Sequence, residues 1–234
     1  MINFSKRSVQ KELLDRDDIP FADIRQNMKE LNTINTLLGG HSITIQGIDK
    51  IYKKQISEQI SICEIGCGGG DNLSAIAHWS NRKHIQPKYI GIDIKKECIE
   101  YAKEQNPDLD VTWITNNYID VELKDQPDII FSSLFCHHFT NNELIKMLQW
   151  MNQKCSMGFF INDLQRHPMA FYLIKLLTRL FSRSYLVRND APISVTRGFK
   201  RKDWVELFEK AGISHYSIEW KWAFRYLVIC KKHE

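Results

Sequence analysis

The stretch Cys63-Glu64-Ile65-Gly66-Cys67-Gly68-Gly69-Gly70-Asp71-Asn72-Leu73 decides how the rest of the chain is read. Gln59 to Ile62 lead into it as a short apolar strand, and Asn72 to His78 leave it with the composition of a helix. Glycines at a strand-to-helix turn let backbone N–H groups approach a ligand at the positive end of the helix dipole. Three ligand classes use such a turn, and spacing separates them. A P-loop needs G-x-x-x-x-G-K-[ST], and no Lys follows these glycines. A dinucleotide fingerprint needs G-x-G-x-x-G or A. Gly66 and Gly68 satisfy its first two positions, but Asp71 occupies the third.

What remains is acidic-x-Gly-x-Gly-x-Gly, carried by Glu64, Gly66, Gly68 and Gly70. This pattern resembles the first motif of class I S-adenosylmethionine-dependent methyltransferases. The resemblance implies a loop, with Cys67 inside it, that passes under the methionine end and the adenosine of the donor. It also implies S-adenosylmethionine as cofactor and S-adenosylhomocysteine as product. Asp93, ending the strand Lys88–Ile94, matches the family's second motif, where a carboxylate accepts both ribose hydroxyls. The same Asp also suits the N-cap of a helix over 95–105. Ile94 follows it at the cofactor. After a third strand, Val111 to Asn117, the family commonly carries an Asp that faces adenine. Here the place reads Asn116-Asn117-Tyr118, so an amide replaces the carboxylate. The fourth strand, Asp128 to Phe135, runs into Cys136-His137-His138 and resembles the family's active-site floor, with Ser133 and Leu134 at the cofactor.

Thr140 to Glu143 has capping-box spacing for a helix to about Cys155, and Gly158 to Leu164 reads as a fifth strand. Five strand–helix steps in this order make a parallel, right-handed, doubly wound sheet. A helix over Lys200–Ala211 and two closely joined strands, Ser214–Trp220 and Trp222–Cys230, complete the chain. The expected fold is therefore α/β: a doubly wound, mostly parallel seven-stranded sheet with an antiparallel last strand, the Rossmann-like methyltransferase fold. Residues 1–20 are polar and charged, with a surface turn at 15–20. A helical period from Phe21 to Leu38 ends at Gly39-Gly40, and Ser42 can cap a second helix to about Lys54. Residues 1–58 thus read as an N-terminal helical cap and 59–234 as the methyltransferase domain, with 165–199 as a lid or substrate insertion.

The 234 residues suffice for one such domain plus a small elaboration. No apolar run approaches the ~20 residues that span a bilayer, and the N-terminus lacks a signal peptide's apolar core. Six scattered cysteines without a C-x-x-C pair read as reduced thiols of a cytoplasmic protein, with no metal site expected. Net charge is +4, but from Arg166 onward fourteen Lys/Arg face six Asp/Glu, against eighteen and twenty-two before it. That basic third suits a membrane surface, an acidic carrier protein or nucleic acid, or is a solvated face.

The segment after the fifth strand begins Gln165-Arg166-His167-Pro168 and continues as a broad apolar helix with Lys175, Arg179 and Arg183 spaced by four. It reads as an ordinary packed helix, a lid over an apolar substrate, or an interfacial helix leaning on a membrane. Methyl transfer from a sulfonium requires alignment in a dry site, and a phenol or alcohol acceptor also benefits from a base near neutral pH, most often His. His167 is the first candidate base, His138 the second and His41 a distant third. His137, Asp163 and Arg166 are candidates for orienting or binding substrate. The strand-four segment lacks the [DN]-P-P-[YF] of nucleic-acid and glutamine N-methyltransferases and the Pro-Cys of cytosine C5 enzymes. The sequence resembles bacterial methyltransferases of quinone and aromatic-polyketide pathways, which implies methylation of an oxygen or ring carbon of a small, apolar aromatic. The alternative is an RNA- or protein-modifying methyltransferase that uses the basic third, although nucleic acid is the less expected partner.

Overall fold

The computed structural model describes residues 3–16, 18–52 and 60–232. The expected end of the second helix at Lys54, the strand lead-in at Gln59 and the boundary between 58 and 59 lie outside these residues. Seven strands form one sheet: β1 (Ser61–Ile65), β2 (Lys88–Asp93), β3 (Val111–Thr115), β4 (Ile129–Ser133), β5 (Gly158–Leu164), β6 (Tyr216–Lys221) and β7 (Arg225–Lys231). Their spatial order is β3-β2-β1-β4-β5-β7-β6. The first five pair in parallel, and β7 runs antiparallel to both β5 and β6. The strand order reverses between β1 and β4, which opens a crevice beyond their carboxyl ends.

Apolar side chains point to both faces of the central strands, so both faces must be covered. Helices α2 (Gly40–Ile51) and α3 (Asp71–Lys83) cover one face, packing Ile43, Ile48, Leu73 and Ile76 on Ile62, Phe131 and Phe160. On the other face, α5 (Asn141–Lys154) and α8 (Arg201–Ala211) bring Leu144, Met147 and Phe208 onto Ile130, Phe159 and Val228. The capping box that starts α5 forms as expected, Thr140 accepting from Glu143 N–H while Glu143 accepts from Thr140 N–H. α2 begins two residues before Ser42, because Gly39 at φ 73 reverses the chain and caps it. α1 (Phe21–Leu37) packs on α4 (Lys96–Gln105) through Ile24, Met28, Cys98 and Tyr101, and so roofs the carboxyl edge of the sheet.

The segment after β5 is two helices, α6 (Pro168–Phe181) and α7 (Tyr185–Arg197), the second of them not anticipated. The polar N-terminus is not a loose surface segment either. Arg166 donates to the Phe4 and Ser5 carbonyls, Ser8 N–H to Thr196 O, and Arg197 to Gln10 O. Asp190 on α7 then accepts from the N–H groups of Leu13 and Leu14, at 2.8 and 2.9 Å. Residues 3–15 are thereby strapped across the carboxyl edge. All six cysteines are buried and unpaired.

Candidate functional site

Between the strap, α1, the carboxyl ends of β1 to β5 and the pair α6–α7 lies a cavity of about 1080 Å³. At one end the glycine loop shapes it. Gly66 N–H and Cys67 N–H both donate to Ile92 O, which ties the loop to β2. Gly66 sits at φ 68, and a Cβ there would fall 2.2 Å from Phe135 Cδ2, so no other residue fits. Asp93 Oδ2 accepts from Gly68 N–H at 2.9 Å, and Oδ1 accepts from Lys95 N–H at 2.9 Å. Each oxygen keeps a lone pair, and the residue lines the cavity, so a vicinal diol fits against it. Asp93 is not the N-cap of α4, which is Lys95 without a side-chain capping bond; Asp93 only holds the N–H of that residue. Burial raises the Asp93 carboxyl, and the two N–H donors partly offset this.

The expected cofactor residues Gly66, Cys67, Gly68, Asp93, Ile94, Asn116, Asn117, Tyr118, Ser133 and Leu134 all line this cavity. Asn117 also accepts from Ile119 N–H, starting a short turn that seats Tyr118 among Phe135, Phe139 and Trp150. Burial pushes the Tyr118 phenol up to about 12. Gly70 stays behind the loop as the left-handed cap of α3, at φ 74. Glu64 is fully buried beneath it; Oε1 accepts from Asn72, while Oε2 meets no donor among the described residues. Burial, with Asp71 and Asp93 nearby, raises this carboxyl well above the ordinary value.

At the other end, a short turn after β4 carries His137 and His138, their rings 4.4 Å apart. His137 Nδ1 meets Asp163 at 2.8 Å, and His138 Nδ1 meets Asp15 at 3.1 Å. An ionised carboxylate only accepts, so each Nδ1 donates and each Nε2 is left to receive a proton. Both Nε2 atoms face Glu12, at 3.6 and 3.8 Å. Burial drives the Glu12 carboxyl up to about 7, although His138 and a hydrogen bond from Ser194 pull it down. Burial likewise works to raise Asp163, but His137 holds it below the ordinary value. One ligand atom from each of Glu12, His137 and His138 lies within 4.8 Å of the others. The two imidazole planes are tilted by 32° to one another.

His167 lies apart from this group. It caps α6, Nδ1 accepting from Met169 N–H, and stacks on Phe224, and it is not among the cavity-lining residues. Arg166 is spent on the strap and on Asp203, and Asp163 reaches the cavity only through His137. His41 does line the cavity and pairs with Asp71 at 2.7 Å.

Two residues of the site escaped sequence reading. Glu12 sits in a polar segment that gives no periodic signal, and only the strap buries it. Arg225 opens β7 among apolar residues. It is 2% exposed, lines the cavity, and its Nε and Nη1 meet no acceptor among the described residues. The isolated charge just before Tyr226-Leu227-Val228-Ile229 was a usable signal, since buried strands rarely carry one unpaired.

Residues 62–158 match a family described as a methyltransferase domain. No curated protein matches the sequence. Solved structures share the fold at low identity. The plantazolicin methyltransferase, solved with S-adenosylhomocysteine and a triazolic desmethyl analogue, is 15% identical at a TM-score of 0.67 over 91% of each chain. An S-adenosylmethionine-dependent methyltransferase from Aquifex aeolicus is 16% identical at 0.63, over 88% of this chain and 97% of that one. Human N-acetylserotonin methyltransferase, solved with S-adenosylmethionine, is 16% identical at 0.61; 92% of this chain is covered, but only 57% of that one. The seven-stranded sheet described above is thus the Rossmann-like methyltransferase fold.

Proposed function

We propose that the chain is a class I methyltransferase that moves a methyl group from S-adenosylmethionine to an oxygen or ring carbon of a small, apolar aromatic substrate, a reading that its methyltransferase-domain match and fold support. One observation carries this reading. The Gly66–Gly70 loop and Asp93 form a diol-accepting cradle in the same cavity as an apolar wall and a proton-accepting histidine cluster.

Bound in that cradle, the donor supplies a methyl group on a positively charged sulfur, to be displaced in line. The chain's own residues do the rest. Asp93 would accept from the ribose hydroxyls, and Asn116 and Asn117 are placed in the cavity wall to meet the adenine edge. Phe135, Tyr118 and the roof of α1 exclude water, which favours alignment over solvation. Leu164, Ala170, Ile174, Val187 and Val195 offer an apolar face for the acceptor ring. His138, the more open of the two histidines, takes the phenolic proton at Nε2. Asp15 fixes its tautomer, and Glu12 with His137 and Asp163 spreads the resulting charge.

Calorimetry tests the cradle. The wild-type chain is expected to bind S-adenosylhomocysteine and not NADH, and Asp93→Ala to weaken that binding by about 2–4 kcal/mol through lost charge-assisted hydrogen bonds. Unchanged affinity removes Asp93 from the site. His138→Ala is expected to lower turnover and leave cofactor affinity alone. The substrate class is read by supplying a labelled methyl donor to cell extract. Label in the lipid-soluble fraction supports an aromatic acceptor, whereas label in RNA or protein supports the macromolecular alternative.

A further inference from the structure

α6 is an amphipathic helix mounted the wrong way round for a solvated one. Phe171, Ile174 and Thr178, three and four residues apart, face the molecule. The outward side should then be polar, but it carries Met169, Leu173, Leu176 and Leu180. All four are exposed, and Leu180 and Phe181 reach 63% and 78%. Beside this apolar stripe runs a second one, Tyr172, Lys175 and Arg179, continued past the helix end by Arg183. No Asp or Glu occurs from Arg166 to Asn189, and Lys175, Arg179, Arg183 and Arg188 are all exposed.

An apolar stripe of this length facing water has to be covered. A second copy is disfavoured, because isologous pairing through α6 would bring the basic stripes together with no acidic residue on the helix between them. An anionic bilayer meets both features, since acyl chains take the apolar stripe and headgroups take the basic flank. Leu173, Leu176 and Leu177 are exposed and also line the cavity, so its mouth opens along the same helix. We propose that α6 docks the protein on an anionic lipid surface. If the aromatic-acceptor reading above holds, a lipid-dissolved substrate then enters the cavity without crossing water.

The test needs no turnover, so its failure is separable from failure of the methyl-transfer reading. The full chain is floated with phosphatidylcholine vesicles, neutral or containing a quarter phosphatidylglycerol. Wild type is expected to float with the anionic vesicles, stay behind with the neutral ones, and be released by high salt. Leu180→Asn/Phe181→Asn and Lys175→Glu/Arg179→Glu each alter exposed side chains outside the cavity lining. Each should cut partitioning more than roughly tenfold with an unchanged melting temperature. Three results overturn the proposal: wild type that stays in solution with anionic vesicles, partitioning that neither variant alters, or a solution dimer that Leu180→Asn/Phe181→Asn dissolves, which would assign the stripe to a second copy.

Discussion

Arg225 carries a charge that the described residues leave without a direct partner. A buried guanidinium with two donor groups lacking acceptors forgoes its hydration without a compensating bond. Burial accordingly lowers it to about 10, with Asp163 and Asp71 acting only at longer range in the opposite sense. Arg225→Met should therefore raise the stability of the ligand-free protein by about 1–3 kcal/mol, read by thermal unfolding; a lower melting temperature would mean that the charge is compensated. Glu12 makes the complementary case for a carboxyl. Its native value near 7 lies above its ordinary 4.5, so between these two pH values the native state holds a proton that the unfolded chain has released. Stability from this group is full below about 4.5 and is lost as pH rises through about 7. Glu12→Gln should thus stabilise the protein at pH 8 relative to wild type, by up to about 3 kcal/mol, and leave pH 4.5 little changed. Denaturation at the two pH values checks the sign. Asp93 was legible in sequence because a strand end and a glycine loop frame it. Glu12 and Arg225 were not, because their roles depend on partners far away in the chain.

At the scale of elements, local signals and packing can pull against each other. Gly47 lies within α2, where helix propensity alone makes Ala better by about 1 kcal/mol. Yet a Cβ at Gly47 would stand 2.5–2.7 Å from the Phe160 ring, which is itself stacked on Phe131 at 5.0 Å. Overpacking of this kind costs about 1–3 kcal/mol, so Gly47→Ala should destabilise the protein by up to about 2 kcal/mol net, measured by urea unfolding. The capping box of α5, the Pro168 start of α6 and the Gly212 end of α8 were readable because each rests on contacts within a few residues. α7 was not readable. It contains Pro192 and buries Asp190, Ser194 and Arg197 as well as Leu186 and Ile193, so no single apolar face announces it. Those polar groups are satisfied by the strap and the His137–His138 turn.

For the whole molecule, the cavity couples ligand to stability. Its walls come from the strap, α1, the sheet edge and α6–α7, so a ligand that spans them binds only the folded chain. S-adenosylhomocysteine at a hundredfold excess over its Kd should add about 2.7 kcal/mol, or roughly 5–10 °C in melting temperature for a chain of this size, while NADH should add nothing; scanning fluorimetry distinguishes them. The basic C-terminal third also changes meaning at this scale. Arg166, Arg197 and Arg225 are buried and hold the strap or face the cavity, which leaves the exposed surplus mainly on α6 and around α8. By itself the sequence determined the mostly parallel seven-stranded sheet, its antiparallel last strand and the residues of the glycine-loop end of the cavity, because glycine spacing, strand periodicity and caps are short-range properties of the chain. Only the tertiary structure decided that His137 and His138, and not His167, line the cavity, and that a polar N-terminus is one of its walls. Those outcomes depend on burial and on hydrogen bonds between residues more than a hundred positions apart, which local composition does not encode.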